Sequence, residues 1–110
     1  MLVISLGGEG EVPGVINQQG PWAVTDRRWR SAQDGKTFAE LVAEGIAFLI
    51  CPNHPLPFPD ESVDVVITNG VKVDGLGSYG PWVTTAEVER ILKSGGEWRK
   101  DYGAELWTKP

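Results

Sequence analysis

The sequence has little cysteine, little histidine and little positive charge, and each shortage excludes a class of protein. The single cysteine, Cys51, has no partner for an internal disulfide, and with the single histidine, His54, it cannot build a zinc site. Ten basic side chains against fifteen acidic ones give a formal net charge of -5, so the basic surface of a nucleic-acid-binding protein is missing. We therefore expect no disulfide framework, no metal site and no nucleic-acid partner.

Long apolar runs are also missing. The longest, residues 46–51, falls far short of the roughly 18 residues of a membrane span, which predicts that the protein has no membrane partner. The apolar start at residues 2–6 has no basic leader, which favours a strand over a signal peptide. Lack of disulfides fits a cytoplasmic location, although exported domains can also lack them. The length of 110 residues predicts one domain spanning residues 1–110.

Glycine, proline and tryptophan are abundant. Fourteen glycines and eight prolines predict many turns, and the five tryptophans suit a small domain that must bury apolar area with few residues. Three aromatic side chains could instead wall a ligand pocket, because aromatic faces attract cations; they are Trp22, Tyr79 and Trp82.

The pattern of apolar residues predicts four strands. Continuous apolar runs at residues 2–6, 46–51 and 63–68 indicate buried strands, and the run at 46–51 is typical of a strand covered on both faces. A short fourth strand is expected at residues 97–100. Residues 20–36, 52–60 and 71–83 are expected to be loops, and the tail to Pro110 carries no strong signal.

Two helices are predicted by capping boxes, in which a threonine precedes a glutamate by three residues. The first box is Thr37 with Glu40, and the second is Thr84 with Glu87. The first helix should end at Gly45 with Phe38, Leu41 and Val42 on one face. The second should end at Gly95 and Gly96 with Val88, Ile91 and Leu92 on one face.

Apolar strands separated by helices predict an α/β domain with a mainly parallel sheet. Ligands of such sheets bind beyond the carboxyl ends of the strands. The candidate loops are therefore residues 7–10, 53–54 and 68–70.

Two separated sequence blocks resemble the class I S-adenosylmethionine-dependent methyltransferases. Residues 56–64 read L-P-F-P-D-E-S-V-D before an apolar strand, and residues 87–96 read E-V-E-R-I-L-K-S-G-G, with Ser94 where the family usually has proline. Residues 4–10 and 12–17 are similar to a subgroup in which the glycine turn leads to a P-G-x-I-N segment without a first helix. The resemblance implies a small three-layer Rossmann-like fold with a pared-down methyltransferase topology.

The resemblance also implies S-adenosylmethionine as cofactor. Its amino-acid part would lie against the glycine turn, made by Gly7, Gly8 and Gly10. The acidic residue that usually holds the ribose hydroxyls is replaced by Gln19. The acid that usually contacts adenine falls on Pro52, and the neighbouring Asn53 could take that role.

Two residues are candidates for the catalytic step. Asn69 follows the strand at residues 63–68, where this family often places a residue facing the transferred methyl group, although an Asn-Gly pair equally suits a turn. His54 could act as a general base, because its ordinary pKa lies near neutrality; the alternative is an exposed loop histidine. Tyr79 and Trp82 would line the substrate pocket, and the acceptor would be a small molecule or a protein.

The chain ends earlier than the family's sheet normally does, which predicts an open sheet edge suited to a homodimer or a protein partner. Two functions therefore remain. One is a minimal methyltransferase. The other is a cofactor-free methyltransferase-like binding module, or a secreted effector or toxin domain acting through a protein partner. The chain could also be a fragment of a larger protein.

Overall fold

Six strands form the central sheet in this computed structural model, which describes residues 1–77, 80–81 and 83–110. The strand order is β3-β2-β1-β4-β7-β8. In chain order the elements are β1 (Val3–Leu6), β2 (Ile16–Gln19), α1 (Trp22–Thr25), α2 (Phe38–Ala43), β3 (Phe48–Ile50), β4 (Val63–Thr68), β5 (Leu76–Gly77), β6 (Gly80–Pro81), α3 (Thr85–Ile91), β7 (Leu92–Lys100), a 3-10 turn (Asp101–Gly103) and β8 (Glu105–Thr108).

The sheet is parallel from β3 to β7, and only β8 runs antiparallel to its neighbour. β5 and β6 form a separate two-stranded sheet. The prediction of an α/β domain with a mainly parallel sheet is therefore confirmed. The strand order reverses at β1, because the chain moves outward through β2 and β3 and returns to the other side of β1 with β4. Such a reversal is the place where open α/β sheets bind ligands.

The three helices are short, and their capping matches the sequence in part. Thr37 and Glu40 form the predicted reciprocal capping box at the start of α2, and Gly45 follows that helix with a φ of +88°. Leu41 is buried, but Val42 is 47% exposed, so Val42 does not lie on the buried face with Leu41 as predicted. The predicted loop at residues 20–36 contains the single turn of α1.

The end of α3 was predicted four residues too late. The helix ends at Ile91, and β7 begins at Leu92, which pairs with Val63 of β4. Pairing with the central strand therefore replaces helix continuation. A side chain at Gly96 would lie 3.0 Å from the carbonyl oxygen of Asp64, so this glycine permits the close approach of β7 to β4.

The two ends of the sheet also differ from expectation. The run at residues 46–51 forms the edge strand β3, and its three residues are half-buried, so the prediction of cover on both faces is wrong. The tail forms an unexpected strand, β8, which pairs with β7 through a hairpin.

The main core lies between α3 and the centre of the sheet. Its buried members are Ile4, Leu6, Leu56, Val63, Val66, Val83, Val88, Ile91, Leu92 and Trp98. A second cluster of Ala23, Trp29 and Leu41 packs with Phe38 and Phe48 near β3. Trp98 is the largest fully buried side chain, and its indole Nε1–H donates to the Thr68 hydroxyl at 3.0 Å.

Replacement of Thr68 by valine should leave the buried indole N–H without a partner. We expect a loss of about 1–3 kcal/mol in the free energy of unfolding, measured by urea denaturation. Thr68→Ser keeps the hydroxyl acceptor and should lose less than Thr68→Val. A greater loss for the serine variant would contradict this role of the hydroxyl.

Glu87 and Arg90 join the two sequence blocks at residues 56–64 and 87–96. The predicted second capping box is only half present, because Thr84 accepts from the Glu87 N–H but the Glu87 carboxylate turns elsewhere. It accepts from the Leu56 N–H at 2.7 Å and from Arg90 Nε at 2.7 Å. The Arg90 guanidinium also donates to the carbonyl oxygens of Leu56 and Phe58 and to Asp60. The paired blocks thus hold the proline-rich loop against α3.

Candidate functional site

A cleft of about 170 Å³ opens at the carboxyl ends of β1, β2 and β4, where the strand order reverses. Three residues predicted to bind the cofactor line it together: Gly7 after β1, Gln19 at the end of β2, and Asn53 after β3. The remaining lining comes from Glu9, Gln18, Gly20, Trp22, Trp29, Gly70 and Val71. The structure therefore brings Gly7 and Asn53, which are 46 positions apart in the sequence, into the same cleft.

The glycine turn after β1 requires glycine at two successive positions. Gly7 has a φ of +68°, and a side chain there would lie 2.8 Å from Val71. A side chain at Gly8 would overlap the amide oxygen of Asn17 and lie 2.6 Å from the Ser5 hydroxyl. The bare backbone of this turn thus fits closely against its neighbours.

Two glutamines at the end of β2 hold the cleft in place. Gln18 accepts from the Gly7 N–H at 3.1 Å and donates to the Cys51 carbonyl at 2.7 Å, so it bridges the loops that follow β1 and β3. Gln19 donates its amide to the Gly8 carbonyl at 2.9 Å. Its amide oxygen has no hydrogen bond to any described residue, which leaves one acceptor of a buried side chain open to the cleft. No sequence pattern indicated the bridging role of Gln18.

Asn53 has the most unusual environment in the cleft. Its side-chain oxygen is buried and has no hydrogen-bond partner among the described residues. A buried acceptor without a partner is unfavourable unless a ligand or water completes it. Asn53 therefore adds a buried acceptor without a partner to the residues that line the cleft.

Glu9 supplies the charge of the cleft. Its carboxylate accepts from the Ala32 N–H at 3.0 Å, which joins the glycine turn to the loop before α2. Burial raises the pKa of Glu9, and the nearby carboxylates of Glu11 and Asp34 raise it further. Glu9 is half-buried and lines the cleft.

The cleft continues into a second cavity of about 380 Å³. The two cavities share Glu9, Trp22 and Trp29. The indole rings of the two tryptophans meet edge to face, with centroids 6.1 Å apart. The second cavity is further lined by Asp26, Arg28, Arg30 and Ala32. Together they offer a longer ligand site than the first cavity alone.

The other predicted site residues, including the buried Gly8 next to Gly7, do not line this cleft. Gly10, with a φ of +94°, packs against Ile46 and lines a separate groove. His54 is exposed and does not line the cleft. Tyr79 and Trp82 fall outside the described residues.

Asn69 lines a different cavity of about 310 Å³, next to the cleft. Its side-chain oxygen accepts from the Tyr102 N–H at 2.8 Å, so it supports the turn between β7 and β8. Gly70, the next residue, lines the cleft itself. The two cavities therefore flank the end of β4.

Within the described part of the chain, no group of three or more histidine, cysteine or acidic side chains could hold a metal ion. None of the described helices is long and apolar enough to cross a membrane. Burial raises the pKa of the Cys51 thiol, which makes it a poor nucleophile.

Comparison with protein-family models, curated proteins and solved structures gives no match to this chain.

Proposed function

We propose that the protein is a minimal S-adenosylmethionine-dependent methyltransferase that acts on a small molecule or a protein. One observation carries this proposal: Gly7, Gln19 and Asn53 line one cleft at the reversal of the strand order, and the side-chain oxygens of Gln19 and Asn53 have no hydrogen-bond partner among the described residues. We also infer that the domain is a small three-layer Rossmann-like fold with α3 on one face and the cluster around Leu41 on the other.

The polar groups of the cleft match the three parts of the cofactor. The bare backbone at Gly7 accommodates the amino-acid part, and the Glu9 carboxylate offers a counter-charge to its cationic groups. The free oxygen of Gln19 can accept from a ribose hydroxyl. The unsatisfied oxygen of Asn53 can accept from the adenine amino group.

Bound S-adenosylmethionine would supply a methyl group on a positively charged sulfur, which is an excellent leaving group. The residues of this chain then need only to hold the cofactor and align the acceptor. The cavity beside Asn69 is the proposed entry for the acceptor, because it adjoins the cleft across Gly70. A base role for His54 remains a prediction.

Calorimetric titration with S-adenosylhomocysteine tests the proposal without knowledge of the acceptor. Micromolar to submillimolar binding at one site per chain would support it. Absence of heat at millimolar ligand would contradict it.

An Asn53→Asp substitution should tighten binding of S-adenosylhomocysteine about tenfold. A carboxylate accepts more strongly than an amide from the adenine amino group, and about 1.4 kcal/mol corresponds to a factor of ten. Asn53→Leu has a similar size and no acceptor, so it should weaken binding. Equal affinities for wild type and both variants, measured in the same titration, would show that Asn53 does not contact the ligand.

The Glu9 carboxyl should make cofactor binding depend on pH. The pKa of Glu9 is raised above its ordinary value of 4.5, and only the ionised carboxylate attracts a cation. Affinity for the cationic S-adenosylmethionine should therefore increase as the pH rises through this raised pKa. Glu9→Gln keeps an acceptor for Ala32, and should bind about fivefold less tightly at neutral pH, on the order of 1 kcal/mol for a partly solvated charge pair. Titrations at several pH values would measure both effects.

S-adenosylhomocysteine is the matched control, because its sulfur is uncharged and its affinity for the protein should change less with pH.

The Glu9 carboxyl has the opposite pH effect on the stability of the ligand-free protein. The folded state binds this proton more tightly than the unfolded chain, so its contribution to stability decreases as the pH rises through the raised pKa. If wild type and Glu9→Gln show the same pH dependence of S-adenosylmethionine affinity, Glu9 does not contribute to binding.

The second candidate function is a cofactor-free binding module. It is favoured by the size of the first cavity, about 170 Å³, which is below the roughly 300–1,000 Å³ of most ligand pockets. The absence of a carboxylate at Gln19 and Pro52 also favours it. The calorimetric titration separates the two functions directly.

A further inference from the structure

The outer side of β8 is the feature from which we draw a further inference. This strand ends the sheet, and among the described residues no strand pairs with its outer side. Leu106 at its centre is 62% exposed. We propose that β8 pairs antiparallel with β8 of a second copy of this chain and joins the two sheets into one. The proposal is independent of cofactor binding.

The backbone of β8 determines which groups are available for this pairing. The Lys109 N–H donates to the Gly96 carbonyl at 2.9 Å, so Lys109 directs its backbone groups toward β7. In an antiparallel strand, the backbone N–H and C=O groups of successive residues point alternately to the two sides. Glu105 and Trp107 therefore also direct their backbone groups toward β7 in the observed register. Leu106 and Thr108 therefore direct their N–H and C=O groups outward.

A two-fold axis beside Trp107 uses all of these outward groups. It places Leu106 opposite Thr108 of the second copy, and Thr108 opposite Leu106. Each of these pairs exchanges two N–H···O bonds, as hydrogen-bonded pairs of antiparallel strands do. An axis through Leu106 would instead place Thr108 opposite Ala104, which lies in the turn before β8. The Trp107 axis is therefore the favoured register.

The same register brings opposite charges together. Glu105 lies opposite Lys109 of the second copy, and the symmetry repeats this pair. The Glu105 side chain is 69% exposed, and its contact with Lys100 is long at 3.8 Å. The Lys109 ammonium donates to the carbonyls of Glu89 and Leu92, which fixes its position and uses two of its three N–H groups. Opposite charges at facing positions stabilise strand pairs.

The other edge of the sheet lacks these features. β3 has three residues, Phe48–Ile50, carries no charge and is followed closely by Pro52. Short edge strands and nearby prolines discourage strand pairing. The self-complementary segment of residues 105–109 thus favours β8 as the contact between copies.

Light scattering after gel filtration tests the proposal. The wild type should have the mass of two 12.0 kDa chains at high concentration. Thr108→Pro removes an outward N–H and leaves the bonds to β7 in place. It should weaken dimerisation about 30-fold, since the pairing loses two of its four bonds. Thr108→Val keeps the N–H and should remain dimeric. A wild-type monomer up to millimolar concentration, or an unchanged dimer in Thr108→Pro, would overturn the proposal.

Hydrogen exchange in the wild type gives a second readout that needs no variant. Protection of the Leu106 and Thr108 amides should increase with protein concentration, whereas that of Trp107 should change little. Concentration-independent exchange at Leu106 and Thr108 would also overturn the proposal.

Discussion

Replacement of Arg90 by alanine is expected to lower the free energy of unfolding by about 2–3 kcal/mol, because the buried Glu87 carboxylate would lose its partner while the guanidinium itself is 30% exposed. Glu87 is only 7% exposed, and its carboxylate would lose both bonds to the guanidinium. The carbonyl oxygens of Leu56 and Phe58 would lose their donors as well. Such a loss is a large part of the roughly 5–15 kcal/mol that stabilises a typical domain. Urea denaturation would measure it.

Arg99→Ala is the matched control, because it also removes an arginine that pairs with a glutamate. The pair of Arg99 with Glu97 is exposed and 3.3 Å long, so we expect at most about 1 kcal/mol. Similar losses for Arg90→Ala and Arg99→Ala would contradict the assigned role of Arg90.

The acid sensitivity of the protein should change in the same variant. The hydrogen bonds from Arg90 hold the pKa of Glu87 below its ordinary value of 4.5. The stability from this pair is therefore present above that value and is lost as the pH falls through the lowered pKa. Arg90→Ala should show a weaker dependence of stability on pH in this acid range than the wild type.

Gly8→Ala is expected to disrupt the candidate site although it adds only one methyl group. The added carbon would overlap the Asn17 amide oxygen and lie 2.6 Å from the Ser5 hydroxyl, and both side chains are buried. The backbone must therefore move, at a cost of about 1–3 kcal/mol. The Gly8 carbonyl would move with it and release the Gln19 amide. We expect affinity for S-adenosylhomocysteine to fall at least about tenfold, on the order of 1.4 kcal/mol.

Gly14→Ala provides the comparison for this prediction. Gly14 lies after the same turn, and a side chain there would meet no atom within 4 Å. Its φ of +75° makes alanine unfavourable by about 1 kcal/mol. Denaturation should detect that loss, and calorimetry should find the affinity unchanged. Equal affinity for Gly8→Ala and the wild type would exclude the glycine turn from the binding site.

The sequence predicted the elements whose signals are local. β4 matches its apolar run at Val63–Thr68, and the box of Thr37 with Glu40 begins α2 as expected. β8 was missed because its stability comes from pairing with β7 rather than from its own four residues. The end of α3 was misplaced for the same reason, since Leu92 pairs with β4.

The candidate site was predictable to a similar extent. Gly7, Gln19 and Asn53 were found through the family resemblance, and they share the cleft. The role of Glu87 was not predictable from its capping position, because its partners Leu56 and Arg90 depend on the fold. Gln18 was missed because its two hydrogen bonds connect loops that are distant in sequence.

Nuclear magnetic resonance of the ¹⁵N-labelled protein, titrated with S-adenosylhomocysteine, tests the proposed binding site most directly. We predict shifts concentrated at the backbone amides of Gly7 and Gly8 and at the side-chain amides of Gln19 and Asn53. The resonances of Leu106 in β8 should remain unchanged at constant protein concentration. Shifts confined to other residues, or no shifts at millimolar ligand, would contradict the proposed cofactor site.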